Sequence, residues 1–507
     1  MNALRAAINA EATKLIRRHE LHAAWAHDET VRRQRRRSSG SKTVSALRPE
    51  YWSYSAGFNP YLVRSRTTRI EHSISSALRN RTYKPRNPAR YEVPKGDTTM
   101  RSVSVFQIAD NAVSRQTFLS LLSKNRAKLS SRSYAYRRDV TAHDAIQYLE
   151  GELMPDDRVF VAEYDFSAFF DNIEHDHIWR TLHDEKFLIT GRERTILESF
   201  IRAPLPRASG YSEMGGSARE RGVPQGTSIS LLLANLAAAP LDRELERLGV
   251  GFVRYADDTL IWSRNYQSIC EAVEKLHSAA SRIGSEINHK KSQGVRLLVG
   301  PEAKAEISRT ESVDFVGYQL SNASIDMTAR SEKRAREKLD QLLYFNLLEP
   351  ALRNNVNPAR LAGRVDKDYV VFIWQARRFL YGDLNETDLS RFQSNGIPMR
   401  RFKGFMSYYP LVYDSERLAD LDGWLAQRAF LTMRKRRSEL LSQGHHLPPP
   451  LGLPIDDLIN FQRTSTTTGG VLDLRLPSFR RIANVVRSAA RLYGPNRVGQ
   501  SPSPYVY

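Results

Sequence analysis

The stretch Val253-Arg254-Tyr255-Ala256-Asp257-Asp258-Thr259-Leu260-Ile261-Trp262, "VRYADDTLIW", places two adjacent carboxylates between two apolar runs. Both runs are rich in the β-branched and aromatic residues that favour strands. We therefore predict two strands over 251–263 that meet at a turn carrying Asp257 and Asp258. Two like charges near a core repel each other with little screening, so a fold tolerates them when a cation lies between them. Carboxylate oxygens beside a phosphate suit Mg²⁺.

A two-metal site for in-line phosphoryl transfer needs about three acidic side chains on rigid elements that meet in space. The best third candidate is Asp165 in "YDFSAFFDNI", because it follows an apolar, strand-like run. Asp171 lies nearby, but it follows two phenylalanines and is interpreted as a cap of the next helix. These aspartates alone also fit ordinary turn and cap positions, so other segments have to decide between the two interpretations.

Three further segments favour a polymerase site over a nuclease site. "RGVPQGTSIS" (221–230) lies between the two acidic strands, and such a loop can bring backbone N–H groups and an amide against a base and a sugar. Lys95 and Arg101 flank a glycine turn, where a hairpin would place two cations against a triphosphate. Downstream, Lys290 and Lys291 add two more positive charges.

Composition indicates a protein that binds a polyanion. The chain has 507 residues, 41% of them apolar and 26% charged, which fits two to four ordinary globular domains. Its formal net charge of +20 favours nucleic acid as a partner, through steering and counterion release. Cys270 is the single cysteine, which excludes disulfide frameworks and multi-cysteine zinc modules.

The sequence predicts a cytoplasmic protein with no membrane partner. No apolar run approaches about 18 residues, the length that suggests a membrane-spanning helix. The N-terminus mixes charges among its apolar residues and has no apolar core of a secretory signal.

Periodicity divides the chain into regions of different character. The first 60 residues read as a helix followed by a basic loop, and 156–325 alternate strands and helices, which fits a small sheet backed by helices. Beyond 326 the pattern is largely helical. Helices are predicted over 67–80, 108–128, 141–153, 175–203, 228–245 and 266–284, short strands around the turns of 83–105, and one strand over 312–321.

Two arginine clusters are each open to two interpretations. "VRRQRRRSSGSK" (31–42) fits either a flexible arm that contacts RNA or a solvated linker. "RKRR" (434–437) fits either an RNA grip or the solvated face of a helix.

With these motifs in this order, the chain resembles the bacterial reverse transcriptases related to the group II intron, retron and abortive-infection enzymes. The resemblance covers roughly residues 67–325. Its motifs, in the family's order, are "TYKP…VPKGDTTMRSVSV", "SYAYRRDVTAHDAI", "YDFSAFFDNI", "RGVPQGTSIS", "RYADD", "GSEINHKKS" and "VDFVGYQLS". Because several motifs occur in one order, the resemblance is highly specific.

The resemblance implies an α/β fold, the α+β palm and fingers of a right-hand polymerase with a largely α-helical C-terminal region. We assign a basic N-terminal extension to 1–60, fingers to 61–155, a palm to 156–325 and a helical, thumb-like extension to 326–507.

The resemblance also implies roles for individual residues. The catalytic aspartates would be Asp165, Asp257 and Asp258. The ligands of two Mg²⁺ ions, for which Mn²⁺ can substitute, would be Asp165, Phe166, Asp257 and Asp258. The nucleotide-binding residues would be Lys95, Arg101, Phe170, Gln225, Gly226 and Lys291, with Lys290 as the alternative lysine.

Two aromatic residues receive more specific roles from the resemblance. Phe170 takes the position of the steric gate, where a ring would collide with a ribose 2′-hydroxyl and favour dNTP over rNTP. The alternative is that Phe170 is only a core residue. Tyr255 would pack near the primer terminus.

The family hosts several biological roles, and fold does not choose among them. The single cysteine and the absence of a Cys-rich endonuclease end point away from intron maturases, as do "TSIS" in the Gln225 motif and Phe166-Ser167 after Asp165. The long helical end after the palm resembles the defense-associated enzymes. The expected activity is therefore RNA-directed DNA synthesis in an antiphage system.

The partners expected from the resemblance are an RNA template, in the form of a dedicated non-coding RNA, together with dNTPs and a DNA product. A homo-oligomer or an operon-encoded partner protein is left open. Some relatives prime DNA synthesis from a protein hydroxyl, and Tyr505 and Tyr507 in "SPSPYVY" are the candidates, with an ordinary chain terminus as the alternative.

Other functional classes remain as alternatives. They are a group II intron-type or retron-type reverse transcriptase, an RNA-dependent RNA polymerase and a non-catalytic RNA-binding scaffold. An RNA polymerase would not favour an aromatic ring at Phe170, and a dead scaffold would not need all three aspartates.

Overall fold

The computed structural model describes residues 3–40, 43–95, 99–207, 210–290, 292–395, 401–413, 416–464 and 471–500. The first part of the chain forms α1 (Ala3–Arg36), α2 (Pro60–Ser65), α3 (Thr67–Arg79), β1 (Ala89–Lys95), β2 (Thr99–Val105), α4 (Ile108–Asn125) and α5 (Ala142–Leu153). The strands β1 and β2 pair as an antiparallel hairpin, as the proline and glycine turns predict.

The middle of the chain alternates strands and helices as predicted. Its elements are β3 (Arg158–Tyr164), β4 (Phe166–Ser167), α6 (Phe169–Asn172), α7 (His175–Asp184), α8 (Gly191–Ile201), α9 (Ser228–Ala237), α10 (Ala239–Leu248), β5 (Gly251–Tyr255), β6 (Asp258–Ser263), α11 (Tyr266–Ile283), β7 (Glu286–Ile287), β8 (Val295–Val299), β9 (Arg309–Thr310), β10 (Val313–Phe315), β11 (Tyr318–Leu320) and β12 (Ile325–Met327).

The C-terminal region is mainly helical, as predicted, with one short hairpin. Its elements are α12 (Ala329–Leu343), α13 (Glu349–Leu352), α14 (Lys367–Tyr381), α15 (Glu386–Asn395), α16 (Glu416–Ser442), α17 (Ile455–Ile459), β13 (Gln462–Thr464), β14 (Val471–Asp473), α18 (Phe479–Tyr493) and α19 (Pro495–Val498). None of the helices in the described ranges combines the length and apolar composition of a membrane span.

A five-stranded sheet of order β5-β6-β3-β8-β9 carries the motif aspartates. Successive side chains of a strand point to opposite faces of the sheet, and both faces of this sheet carry buried side chains. Val161 and Leu260 join the hydrophobic core that extends into the C-terminal helices. Ala162 and Ile261, one residue further along each strand, join the core shared with the N-terminal helices. The sheet therefore links the two halves of the molecule.

Three predicted elements are divided in the structure. The apolar helix predicted over 228–245 breaks between α9 and α10, where Pro240 lies in the first turn of α10 and lacks an N–H donor. The helix predicted over 175–203 restarts at α8, where Thr190 and Glu193 form a capping box. The strand predicted over 312–321 is the hairpin β10–β11.

The cluster at 31–42 is neither a flexible arm nor a linker over its described part. Residues up to Arg36 continue α1, and the Arg36 Nη1 donates to Asn346 Oδ1 at 2.6 Å. Arg37 pairs with Glu349 at 2.5 Å. Because Leu4 and Ile8 at the other end of α1 pack in the N-terminal core, this helix connects that core to the C-terminal region.

The cluster at 434–437 is partly structural. Arg436 is fully buried and pairs with Asp366 at 2.8 Å and Asp368 at 3.0 Å. Its neighbours Arg434 and Lys435 are exposed, so the RNA grip and the solvated face both remain open for them.

Candidate active site

The turn between β5 and β6 carries two of the three predicted aspartates. Tyr255 pairs with Asp258 across the hairpin, and Ala256 adopts a left-handed conformation with φ of 62°. This backbone conformation is unfavourable for a residue with a Cβ, so it needs support from its surroundings. Asp257 is half-buried and Asp258 is exposed, so the two carboxylates differ in their contact with solvent.

Arg254 supports this turn from inside the protein. Its fully buried guanidinium donates from Nη1 to the Ala256 carbonyl oxygen at 2.9 Å. The same group binds the two Asp242 oxygens at 2.7 and 2.6 Å and Ser133 Oγ at 2.9 Å. Burial raises the pKa of Asp242, and the charge of Arg254 opposes that rise. The bidentate pair therefore fixes the turn to α10.

Asp165 lies at the end of β3, beside the turn. The Asn288 backbone N–H donates to the Asp165 carbonyl oxygen at 2.8 Å, and the Asn288 Nδ2 donates to Asp165 Oδ2 at 3.3 Å. Asn288 belongs to the "INHKKS" segment, in which sequence reasoning selected the lysines and missed the asparagine. Phe166 follows in β4 and pairs with Ile287 of β7, which holds the two segments together.

The structure brings six of the twelve predicted site residues to one cavity of about 370 Å³. Asp165, Phe166 and Asp257 line it, together with Arg101 from β2 and Gln225 from the "RGVPQG" loop. Phe170 forms part of the wall and is 6% exposed. Carboxylates, a cation, an amide and a buried aromatic ring thus face one space that can accept a nucleotide-sized ligand.

A second, larger groove of about 1130 Å³ begins at the same aspartates. Asp165, Asp257 and Arg101 line both spaces, whereas Asp258 and Tyr255 line only the groove. The groove continues past the β10–β11 turn to the C-terminal helices. Its far wall consists of Gly317, Arg330, Arg334, Phe379, Phe405, Tyr408 and Tyr409. The aromatic residues Phe405, Tyr408 and Tyr409 therefore help to form this groove.

The loop before α9 is held by backbone contacts on two sides. The Val223 N–H donates to the Phe170 carbonyl oxygen at 2.7 Å, and the Ser104 N–H of β2 donates to the Gln225 carbonyl oxygen at 2.7 Å. Gly226 has a φ of 126°, and a Cβ there would lie 2.4 Å from the Ser104 carbonyl oxygen. Glycine is thus required for the close approach of this loop to the β1–β2 hairpin. Gly226, which was predicted to bind the nucleotide, is not among the residues that line the cavity.

Sequence reasoning missed Arg219 and undervalued Asp171. Arg219 lines the cavity and is 7% exposed, and its Nε has no hydrogen-bond partner within the described part of the chain. Burial lowers the pKa of Arg219, and the nearby Asp171 opposes that shift. Asp171 accepts a hydrogen bond from Gln225 Nε2 at 3.0 Å, so this carboxylate orients the amide that faces the cavity. No sequence signal distinguishes Arg219 from other loop arginines.

The remaining predicted residues cannot be placed at the cavity. Lys95 ends β1 opposite Thr99, but its side chain lies outside the described residues, as do Lys291, Tyr505 and Tyr507. Lys290 is exposed.

The donor set fits Mg²⁺ bound together with a substrate. Within the described ranges, no three carboxylate, imidazole or thiol side chains surround a single point. Asp165 and Asp257 nevertheless line one cavity, and Mg²⁺ is typically bound by one or two carboxylates together with substrate phosphates and water. These residues therefore fit the ion that the resemblance implies.

Comparison with known proteins finds matches to the part of the chain that carries this site. Residues 93–320 match the family described as "Reverse transcriptase (RNA-dependent DNA polymerase)". The chain is also similar to protein YkfC of Escherichia coli (strain K12), with 26% identity over 220 residues that cover 42% of this chain and 54% of YkfC. The chain thus spans about half the length of this curated relative.

Solved structures of telomerase also align with the chain. The telomerase of Candida albicans, in complex with the TWJ fragment of telomeric RNA, has a TM-score of 0.37 and 12% identity, covering 75% of this chain and 66% of that one. The apo telomerase of Candida tropicalis has a TM-score of 0.39 and 11% identity, covering 74% of this chain and 63% of that one. The family match over residues 93–320 falls within the range 67–325 in which the sequence motifs lie.

Proposed function

We propose that the protein is an RNA-directed DNA polymerase that adds dNTPs to a primer on an RNA template. The observation that carries this proposal is the convergence of Asp165, Asp257, Arg101, Phe170 and Gln225 on one cavity. Side chains suited to metal binding, triphosphate binding and selection of the sugar thus line one cavity. The family match over 93–320 supports the same activity.

The metal site proposed here is built from Asp165 and Asp257, with Asp258 and Phe166 beside them. Mg²⁺ ions bound there would activate the primer 3′-hydroxyl and stabilise the charge of the leaving pyrophosphate. Asn288 orients Asp165, and Arg254 fixes the turn that carries Asp257, so both carboxylates are held before substrate arrives. Arg101 lies where it can bind the triphosphate.

The larger groove is the proposed path of the primer and template. It begins at Asp257 and Asp258 and passes Tyr255 near the expected primer terminus. Arg330 and Arg334 on α12 offer charges to a phosphate backbone. The C-terminal helices thus contribute as a thumb would, and the β1–β2 hairpin contributes as fingers would.

We expect Phe170→Ala to weaken discrimination against rNTP by about tenfold or more, because removal of the ring opens space for a 2′-hydroxyl and pocket contacts of this kind contribute roughly 1–3 kcal/mol. The measurement is kcat/KM for a dNTP and the matching rNTP. Phe169→Ala is the matched control, since Phe169 is a buried phenyl group that lines the same cavity without occupying the gate position. Unchanged discrimination in Phe170→Ala would leave Phe170 as a core residue only.

We further propose that the enzyme copies a dedicated non-coding RNA in an antiphage system. The catalytic region is followed by a long helical region that packs on the sheet, which is the feature that resembles the defense-associated enzymes. The single cysteine points away from intron maturases. Intron-type and retron-type enzymes are the alternatives, and a tyrosine primer at Tyr505 or Tyr507 stays a prediction.

This finer proposal predicts which nucleic acid accompanies the protein in its native host. Wild-type protein should carry one discrete RNA and its complementary DNA, whereas Asp257→Ala/Asp258→Ala protein should carry the RNA alone. Sequencing of the bound nucleic acid, with and without phage infection, is the measurement. A mixture of unrelated RNAs under both conditions would rule out a dedicated template, and an RNA that maps to a surrounding intron would favour the intron-type alternative.

A further inference from the structure

A third space in the molecule lies away from the aspartates. The helices α2 and α3, residues 82–86 and the start of α4 enclose a groove of about 680 Å³, called here the α2–α3 groove. It shares no lining residue with the cavity or the groove at the aspartates. The proposed chemistry therefore does not explain it.

The rim of the α2–α3 groove is cationic. Arg66, Arg69, Lys84 and Arg86 are all exposed there, and their side chains form no ion pair or hydrogen bond within the described ranges. The surrounding segment 60–90 contains eight Lys and Arg residues and one Glu. Such a concentration of unpaired charge is the electrostatic footprint of a polyanion site.

The acid in the groove does not offset this charge at the surface. Asp110 is 4% exposed, and its two oxygens accept hydrogen bonds from the Tyr83 hydroxyl at 2.6 Å and the Arg86 backbone N–H at 3.1 Å. The carboxylate is thus turned inward, and the four cations dominate the accessible rim.

The floor of the groove is apolar. Ile70, Ile74 and Ala77 of α3 are half-buried and line it together with Leu62 and Val63 of α2. Cations above an apolar floor suit a strand whose phosphates meet arginine and lysine while its unpaired bases cover aliphatic surface or stack on guanidinium planes. A base-paired duplex hides its base faces and would leave this floor uncovered.

We propose that the α2–α3 groove binds a single-stranded RNA segment. The groove itself indicates a single strand, and only the choice of RNA over DNA rests on the proposed function. The groove therefore gives the protein an RNA contact separate from the catalytic cavity. Binding there requires neither metal nor primer.

The test measures how the affinity of the full-length protein for fluorescent (rU)15 depends on salt concentration. Wild-type protein is compared with the variant Arg66→Gln/Arg69→Gln/Lys84→Gln/Arg86→Gln. A single strand loses about 0.7 in the slope of log K against log salt for each phosphate contact. Loss of all four cations should therefore make the slope less steep by about 3. The binding is measured without metal, primer or dNTP, so a failure of the proposed chemistry would not affect this result.

The matched control removes four exposed cations from other helices, in Arg180→Gln/Arg192→Gln/Arg247→Gln/Lys275→Gln protein. This control changes the net charge equally and should leave the slope within about 1 of wild type. An unchanged slope in the groove variant, or an equal change in both variants, would overturn the proposal. A groove variant that loses affinity for (dT)15 but not for (rU)15 would overturn the assignment to RNA.

Discussion

Asp257→Asn is expected to lower the rate of primer extension by about 10³-fold or more while the protein stays folded. The carboxylate lines the cavity with Asp165, and substitution by an amide removes its negative charge. Stabilisation of transition-state charge by a bound metal contributes several kcal/mol, and each 1.36 kcal/mol is about a tenfold change in rate. Single-turnover extension of a labelled primer measures this loss directly.

The matched control for this prediction is Asp157→Asn. Asp157 is an exposed aspartate just before β3, so the chemical change is the same and the cavity is untouched. It should retain wild-type activity. Activity in Asp257→Asn protein close to that of the control would contradict the assignment of the site.

Arg254→Met is expected to lower the free energy of unfolding by about 3–5 kcal/mol, because it leaves the buried Asp242 carboxylate without its partner. Such a loss is a large part of the roughly 5–15 kcal/mol that stabilises a typical domain. Urea denaturation followed by circular dichroism measures it. Arg202→Gln at the end of α8 removes an exposed ion pair with Glu198 and should cost no more than about 1 kcal/mol.

The double variant Arg254→Met/Asp242→Leu separates stability from catalysis. Replacement of a buried ion pair by apolar residues of similar size is often close to neutral, so most of the stability should return. The hydrogen bond from Arg254 to the Ala256 carbonyl oxygen stays absent in the double variant. If its loss weakens the positioning of the turn by about 1 kcal/mol, kcat should fall roughly fivefold. A double variant with full stability and wild-type kcat would show that this hydrogen bond does not position the turn.

Local signals were sufficient to predict the elements that carry the motifs. The β5–β6 hairpin follows from two strand-forming runs around a turn, and α5 begins at a capping box formed by Thr141 and Asp144. The order β5-β6-β3-β8-β9 could not be predicted from residues alone, because it depends on pairings between segments that lie far apart in the chain.

The positioning contacts of the site were equally hidden in the sequence. Arg254 reads as a charged residue beside a strand, and only the fold brings Ser133 and Asp242 to its guanidinium. Asn288 reads as a turn residue until the end of β3 is placed beside it. The motifs thus selected the side chains that are proposed for the chemistry, whereas the residues that orient them required the three-dimensional arrangement.

The two arginine clusters show that a run of charged residues does not by itself indicate a surface segment. Charged side chains are rarely buried unless they are paired, so a run of arginines is normally assigned to the surface. Arg36 and Arg436 are exceptions because they have partners within the protein. Arg36 contacts Glu29 and Asn346, and Arg436 contacts Asp366 and Asp368. Asn346 lies 310 positions from Arg36, and Asp366 and Asp368 lie 70 and 68 positions from Arg436. No local sequence pattern extends over such distances.

RNA-directed DNA synthesis is tested most directly by primer extension with the purified wild-type protein on a defined RNA template, with dNTPs and Mg²⁺. We expect a DNA product whose sequence is complementary to the template, formed with dNTP in preference to rNTP and not formed by Asp257→Asn protein. Absence of templated incorporation with either Mg²⁺ or Mn²⁺, or a product of the same sequence and yield from the Asp257→Asn protein, would contradict it.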